Sequence, residues 1–162
     1  IFDQRLVKLA RVDFHSQVGD KLAYCCRLVR KVLASSPESD SLRRVVILGD
    51  DDLLAKLDKL LWSFSADDFL PHCFADNEVA PITPIVLASS WDDELFSTLP
   101  HADVLIHLGQ DFIPNVPALV ERFPRLIEVV SLEEKDLLAG RERYKKYRSM
   151  GYELHNHDQK GA

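Results

Sequence analysis

The chain has 162 residues, 46% of them hydrophobic and 28% charged, with a formal net charge of −6 at pH 7. That is enough chain for one domain with a real core, and an ordinary soluble composition. The acidic balance argues against a general nucleic-acid coat, which carries a broad basic footprint. No stretch reaches the roughly 18 uninterrupted apolar residues of a membrane span, and no signal peptide is expected. Three cysteines, Cys25, Cys26 and Cys73, make an odd set with no C-x-x-C pair, which reads as reduced cytosolic thiols.

In chain order, residues 1–10 read as an extension. Val12–His15 reads as a first strand, and Asp20 is placed to cap a helix running to about Ser35. The apolar positions of that helix, Leu22, Cys25, Cys26, Val29, Val32 and Leu33, keep the helical period. The two cysteines there read as small core hydrophobes. After a Ser/Pro-rich loop over 35–41, Val45–Leu48 is an apolar run of strand length, as buried parallel strands are. Gly49 turns the chain and Asp50 is placed to cap a helix over about 51–64. Asp51 and Asp52 suit its positive end better than a metal, since an octahedral oxygen site needs further ligands.

Trp62, Phe64, Phe69 and His72 crowd an aromatic connection that fits either a partner surface or a plug at the end of the core. A polar loop over 75–80 follows. Ile85–Ala88 reads as an edge strand or a strand start behind Pro81 and Pro84. Trp91–Leu99 reads as a short acidic helical segment, Val104–Leu108 as a strand, and Pro114 and Pro117 open a short helix to about Phe123. Leu126–Val130 is the last expected strand. Ser131 and Glu134 are spaced as the capping box of a final helix, and 155–162 reads as a tail. Strands alternating with helices predict a mostly parallel sheet with helices on both faces, an α/β sandwich of three layers in a single domain over 11–154.

Catalytic and metal motifs are weak. Neither G-x-G-x-x-G nor G-x-x-x-x-G-K-[ST] occurs, so no nucleotide-binding loop, no cofactor and no metal are expected. His107, inside an apolar strand, reads as a core histidine, and the His155/His157 pair is a weak metal signal. No nucleophile and base can be paired by spacing, so no catalytic residues are expected.

The strongest local signal is Arg141–Leu154. Arg141–Arg148 carries five cations and one anion in an otherwise acidic chain. On a helix, Arg141, Tyr144, Lys145 and Arg148 fall at i, i+3, i+4 and i+7, which aligns three cations and a ring on one face. Gly151 is placed to end that helix. Such a face suits an acidic partner with an apolar anchor, either a peptide tail or single-stranded nucleic acid; it also suits a merely solvated last helix.

From about Val12 to Asp158 the chain resembles the chi subunit family of bacterial DNA polymerase III holoenzyme. The resemblance is carried by the strand Val12-Asp13-Phe14-His15, by Asp20–Leu28, by Trp62 with Phe69-Leu70-Pro71-His72, and most specifically by Arg141–Arg148 with Gly151-Tyr152. It implies a Rossmann-like fold without a phosphate loop, and a cytoplasmic, non-catalytic accessory subunit of the clamp-loader complex at the bacterial replisome. It implies two protein partners, the psi subunit and the acidic, Phe-ending tail of single-stranded DNA-binding protein, with DNA reached only through them.

For the tail, Arg141 is the expected carboxylate ligand, Lys145 and Arg148 meet acidic side chains, and Tyr144 and Tyr147 wall the Phe ring. Lys135 is the one cation early in this helix and joins the expected site. Tyr147 lies off the Arg141 face, which suits a core position as well. Phe69, backed by Trp62 and Phe64, is expected on the psi side; Trp62 itself fits the core better. The alternative is a module that binds single-stranded nucleic acid directly.

Overall fold

The computed structural model describes residues 10–35, 43–64 and 70–160. Phe69, most of the expected N-terminal extension and most of the 35–41 loop lie outside the described residues. Among the described residues seven strands form one sheet: β1 Arg11–Val18, β2 Val45–Leu48, β3 His72–Phe74, β4 Ile85–Ala88, β5 Val104–His107, β6 Arg125–Ser131 and β7 Glu153–Asp158. Their order is β3-β4-β2-β5-β6-β1-β7, and every neighbouring pair is parallel.

Five α-helices among the described residues cover the sheet: α1 Lys21–Ala34, α2 Asp51–Ser63, α3 Asp93–Phe96, α4 Val116–Arg122 and α5 Glu134–Ser149. Helices α1 and α2 pack on one face with Val45, Ile47, Ile85, Leu87 and Ile106. The opposite face, with Val46, Val86, Leu105 and Leu126, receives α3, α4 and α5. The strands therefore divide their side chains between two cores, as period-2 alternation requires. Crossovers through α1 and α2 run one way along the sheet and those through α3, α4 and α5 the other, so the change of face keeps one crossover hand. This is the expected Rossmann-like three-layer sandwich, with a sheet that is wholly parallel.

Cys25 and Cys26 are fully buried in the α1/α2 core, and burial pushes both thiols up, Cys26 to about 11. They act as apolar spacers and not as nucleophiles. Asp20 caps α1 by accepting from Ala23 N at 3.1 Å.

Several local expectations need correction. Asp50 occupies the N-cap of α2, but its side chain makes no capping bond. The N-cap of α5 is Glu133, not Ser131. Asp136, at N3, reaches back to accept from Ser131 N at 2.6 Å, so the reciprocal half of a capping box is supplied two residues later than the spacing suggested. Strand β4 is not an edge: β3, read as part of a loop, lies outside it. Residues 155–158, read as the start of a tail, belong to β7, which pairs in parallel with β1 from Arg11–Glu153 to Ser16–Asp158.

Candidate functional site

Helix α5 is set by its buried stripe. Asp136, Gly140, Arg143 and Tyr147 fall at i, i+4, i+7 and i+11 and face the sheet. A Cβ on Gly140 would stand 2.8 Å from Val130 Cγ2, so glycine is what lets the helix lie this close to β6. Below the helix, Glu128 projects from β6 and is completely buried. Its Oε1 accepts from His107 Nδ1 at 2.7 Å and from Arg143 Nε at 3.0 Å, and its Oε2 accepts from Tyr147 Oη at 2.6 Å. Arg143 also donates to the Gln110 carbonyl at 2.7 Å. Burial alone would raise the Glu128 carboxyl; the charges of His107 and Arg143 and the Tyr147 hydroxyl outweigh it and hold the group below the usual carboxylate range. The Tyr147 phenol is pushed up by burial and then by that carboxylate.

Two members of the basic stretch therefore do not face solvent. Arg143 is 2% exposed and neutralised by Glu128. Tyr147 is 0% exposed, with Phe14 edge-on at 5.9 Å and Phe112 at 4.8 Å. The expectation that Tyr147 walls a ligand slot gives way to the core position; it anchors α5.

The structure places the remaining site residues as follows. Arg141, Lys145 and Arg148 are exposed on the outer side of α5. Among the described residues no hydrogen bond or ion pair engages the Arg141 and Arg148 guanidinium groups. Lys145 makes only a 3.5 Å contact with Glu142, both side chains being mostly in solvent, and such pairs hold weakly. Tyr144 is half-buried, edge-on to Phe14 at 5.2 Å, with its ring at the foot of this cationic row. Tyr152 and Leu154 pack against the same core cluster. Lys135 is exposed in the first turn, but six residues before Arg141 place it about 120° around the helix, off the row. Gly151, at φ +86°, ends α5 and turns the chain into β7.

At the other end of the sheet, Trp62 is 56% exposed and packs on the His72 ring at 4.4 Å. This corrects the core reading of Trp62. His72 itself is buried and bridges to the Leu70 carbonyl at 2.7 Å and to Asp58 Oδ1 at 2.9 Å. Phe64 is half-buried against the α1/α2 core.

Sequence reasoning missed Glu128. A carboxylate in the middle of Leu126–Val130 was the available signal, because a charge in an apolar strand needs buried partners. His107 was read correctly as a core residue. His155 and His157 lie on β7, where His157 Nε2 sits 3.0 Å from Asp13 Oδ1; among the described residues no group of three or more His, Cys, Asp or Glu could hold a metal.

The fold and this site define a Rossmann-like α/β protein with an exposed cationic row on its last helix. A family model described as DNA polymerase III chi subunit, HolC, matches residues 9–155. The chain belongs to that family. It is 27% identical to the DNA polymerase III subunit chi of Pseudomonas aeruginosa over 153 residues, 92% of this chain and 96% of that protein. It is 32% identical to the subunit chi of Escherichia coli over 113 residues, covering 69% of this chain and 71% of that one. With the subunit chi of Haemophilus influenzae it shares 28% identity, over 69% of this chain and 73% of the relative.

Proposed function

We propose that this chi-family chain is a non-catalytic adaptor of the clamp-loader complex. It joins the loader, through a psi subunit, to the acidic, Phe-ending tail of single-stranded DNA-binding protein. The observation that carries the reading is the row Arg141, Lys145 and Arg148: cations held outward by a helix whose opposite side is locked to a buried carboxylate. A rigid base fixes the helix backbone in advance, so that binding has to order only the side chains. Tyr144 supplies the apolar edge for a Phe ring, and Arg141 the planar fork for its terminal carboxylate.

The psi side is the aromatic end around Trp62 and Phe64, with Phe69 as its expected anchor. Exposure of Trp62 supports that reading, since exposed aromatics are common interface anchors. Psi binding by a Phe69→Ala chain that matches the parent would remove this surface.

The acidic remainder of the chain disfavours direct binding of single-stranded nucleic acid. The two readings separate on whether DNA is needed. The chain should bind purified, DNA-free single-stranded DNA-binding protein, and lose binding when the acidic tail is removed. Binding to a bare oligonucleotide with none to the DNA-free protein would reverse the assignment.

A further inference from the structure

The two ends of the parallel strands carry opposite charge. At their C-terminal ends a cavity of about 860 Å³ is walled by Asp20, Asp50, Asp111, Glu133 and Asp136. Its one cation, Lys21, is paired with Asp136 at 2.8 Å. At the N-terminal ends the sign reverses on one face of the sheet. Strand β6 opens with Arg125 and β1 with Arg11, and the parallel register that sets Val12 beside Leu126 sets these two arginines side by side. Val12 and Leu126 turn into the core beneath α3, α4 and α5, so Arg11 and Arg125 project to the α1 side.

A parallel sheet is ordinarily covered by apolar packing on both faces. Here the α1/α2 core takes Ile127 and Val129 from β6, only Val18 from β1 and nothing from β7. The rest of that edge is polar, with Arg11, Asp13 and His15 on β1 beside Glu153, His155 and His157 on β7. Helix α1 forms its border. Tyr24, Arg27 and Lys31 fall at i, i+3 and i+7 on one flank. Tyr24 bonds His15 and stands edge-on to it at 5.7 Å, which turns this flank towards β1, and Arg27 lies 5.8 Å over the Tyr24 ring. Burial and then the His157 charge hold the His15 pKa down to about 4; the Arg125 and Lys31 charges act in the same direction, so both cations stand close to it. Arg27, Lys31 and Arg125 are exposed and make no ion pair among the described residues. The two carboxylates of the face are already engaged. Asp13 accepts from Arg11 Nε and Nη2 at 3.0 and 2.9 Å and lies 3.0 Å from His157 Nε2, and Glu153 lies 3.1 Å from His155 Nε2.

We propose that this polar face, bordered by Arg11, Arg125, Lys31 and Arg27, is a docking surface for an acidic segment of a protein partner. The two exposed guanidinium groups on adjacent strands each take a carboxylate through paired hydrogen bonds. A polypeptide can set its acids over the arginines and neutral polar residues over Glu153. A nucleic acid carries a charge at every phosphate, so it meets Glu153 and a chain of net charge −6. The face lies on the opposite side of the sheet from α5. It is independent of the tail-binding row, so neither reading depends on the other.

The test is a titration of the full ¹⁵N-labelled chain with an acidic peptide of alternating Asp and Glu, acetylated and amidated, followed through its backbone amide signals. That probe lacks the terminal Phe and the free terminal carboxylate on which the α5 row relies. The amides of Asp13, His15 and His157 should shift saturably, and a capped glutamine peptide of the same length should not move them. Arg125→Glu combined with Lys31→Glu should weaken the acidic probe at these signals about tenfold, as two exposed ion pairs turned repulsive do. Arg141→Ala should leave the same signals responding as in the parent. Both reversed residues are exposed, so the urea midpoint should stay in place; should it fall, Arg125→Gln alone, which only removes a charge, is read instead and should weaken the probe as well. A short thymidine oligonucleotide is the competing ligand. The proposal is overturned if the acidic peptide moves no β1 or β7 signal, if the glutamine peptide binds equally well, or if the oligonucleotide binds this face more tightly than the peptide. It is also overturned if the charge changes leave the affinity unchanged, or if Arg141→Ala abolishes the β1 and β7 shifts.

Discussion

Glu128 is the residue on which the functional helix depends. Three donors from β5 and α5 converge on its two oxygens, and all four side chains are buried. Breaking such a group from one side leaves a buried guanidinium without its counter-charge. Glu128→Gln should therefore cost about 3–5 kcal/mol of stability, read as a lower urea midpoint; a midpoint within error of the parent would show that the network is ornamental. Arg141 is the opposite case, exposed and without a partner among the described residues. Arg141→Ala should leave the urea midpoint in place and weaken binding of an acidic tail peptide by about 1.5–3 kcal/mol, the range of a charged hydrogen bond. Unchanged affinity would remove Arg141 from the site. At this scale the sequence was legible where residue type and period agreed. Arg141, Tyr144 and Arg148 were placed by spacing alone. Arg143 and Tyr147 share the same stretch and the same chemistry, and only the position of β6 beneath them decides that they point inward.

Among the elements, the five longer or more apolar strands were legible because their side chains are buried on both faces, and burial writes an apolar run. The two missed strands are the sheet's edges. Strand β3 has three residues, and β7 is Glu153-Leu154-His155-Asn156-His157-Asp158, mostly polar with no alternation. Polar and short edges discourage further strand pairing, and the property that protects them hides them from periodicity.

The β1–β7 edge also carries an acid-sensitive cluster. His15 bonds Tyr24 Oη, lies tilted against the His157 ring with centroids 5.0 Å apart, and sits beside Asp13, which pairs with Arg11 and His157. Burial, then the charge of His157, pulls the His15 pKa down to about 4. Its folded value is below its unfolded value of about 6.5, so the unfolded chain binds the proton more readily. The contribution of His15 is complete above about pH 6.5 and is lost as pH falls towards 4. Burial would raise the Asp13 carboxyl, but its bonds from His157 and Arg11 hold it low, so its contribution falls away at still lower pH. Stability measured by urea unfolding should decline from pH 6.5 to 4, and His15→Gln should flatten part of that slope. An identical slope in the variant would place the acid sensitivity elsewhere.

For the whole molecule, the charge distribution separates the two ends of the account. The formal charge of −6 is spread over the chain, while the outer side of α5 is locally positive. Such a distribution favours acidic ligands at α5 and disfavours phosphate at the acidic corner of the strand ends. The architecture was legible from alternation of strands and helices; the acidic cavity was not, because it gathers residues from five separate connections. Exposed ion pairing is screened by salt, so tail affinity should fall as ionic strength rises. The most direct test of the adaptor account is calorimetric titration of the chain with a short acidic peptide ending in Phe, beside the same peptide lacking that Phe. An adaptor of this kind binds the intact peptide saturably, loses the truncated one, and binds more weakly as salt is added. Equal binding of both peptides, or binding of neither, would contradict it.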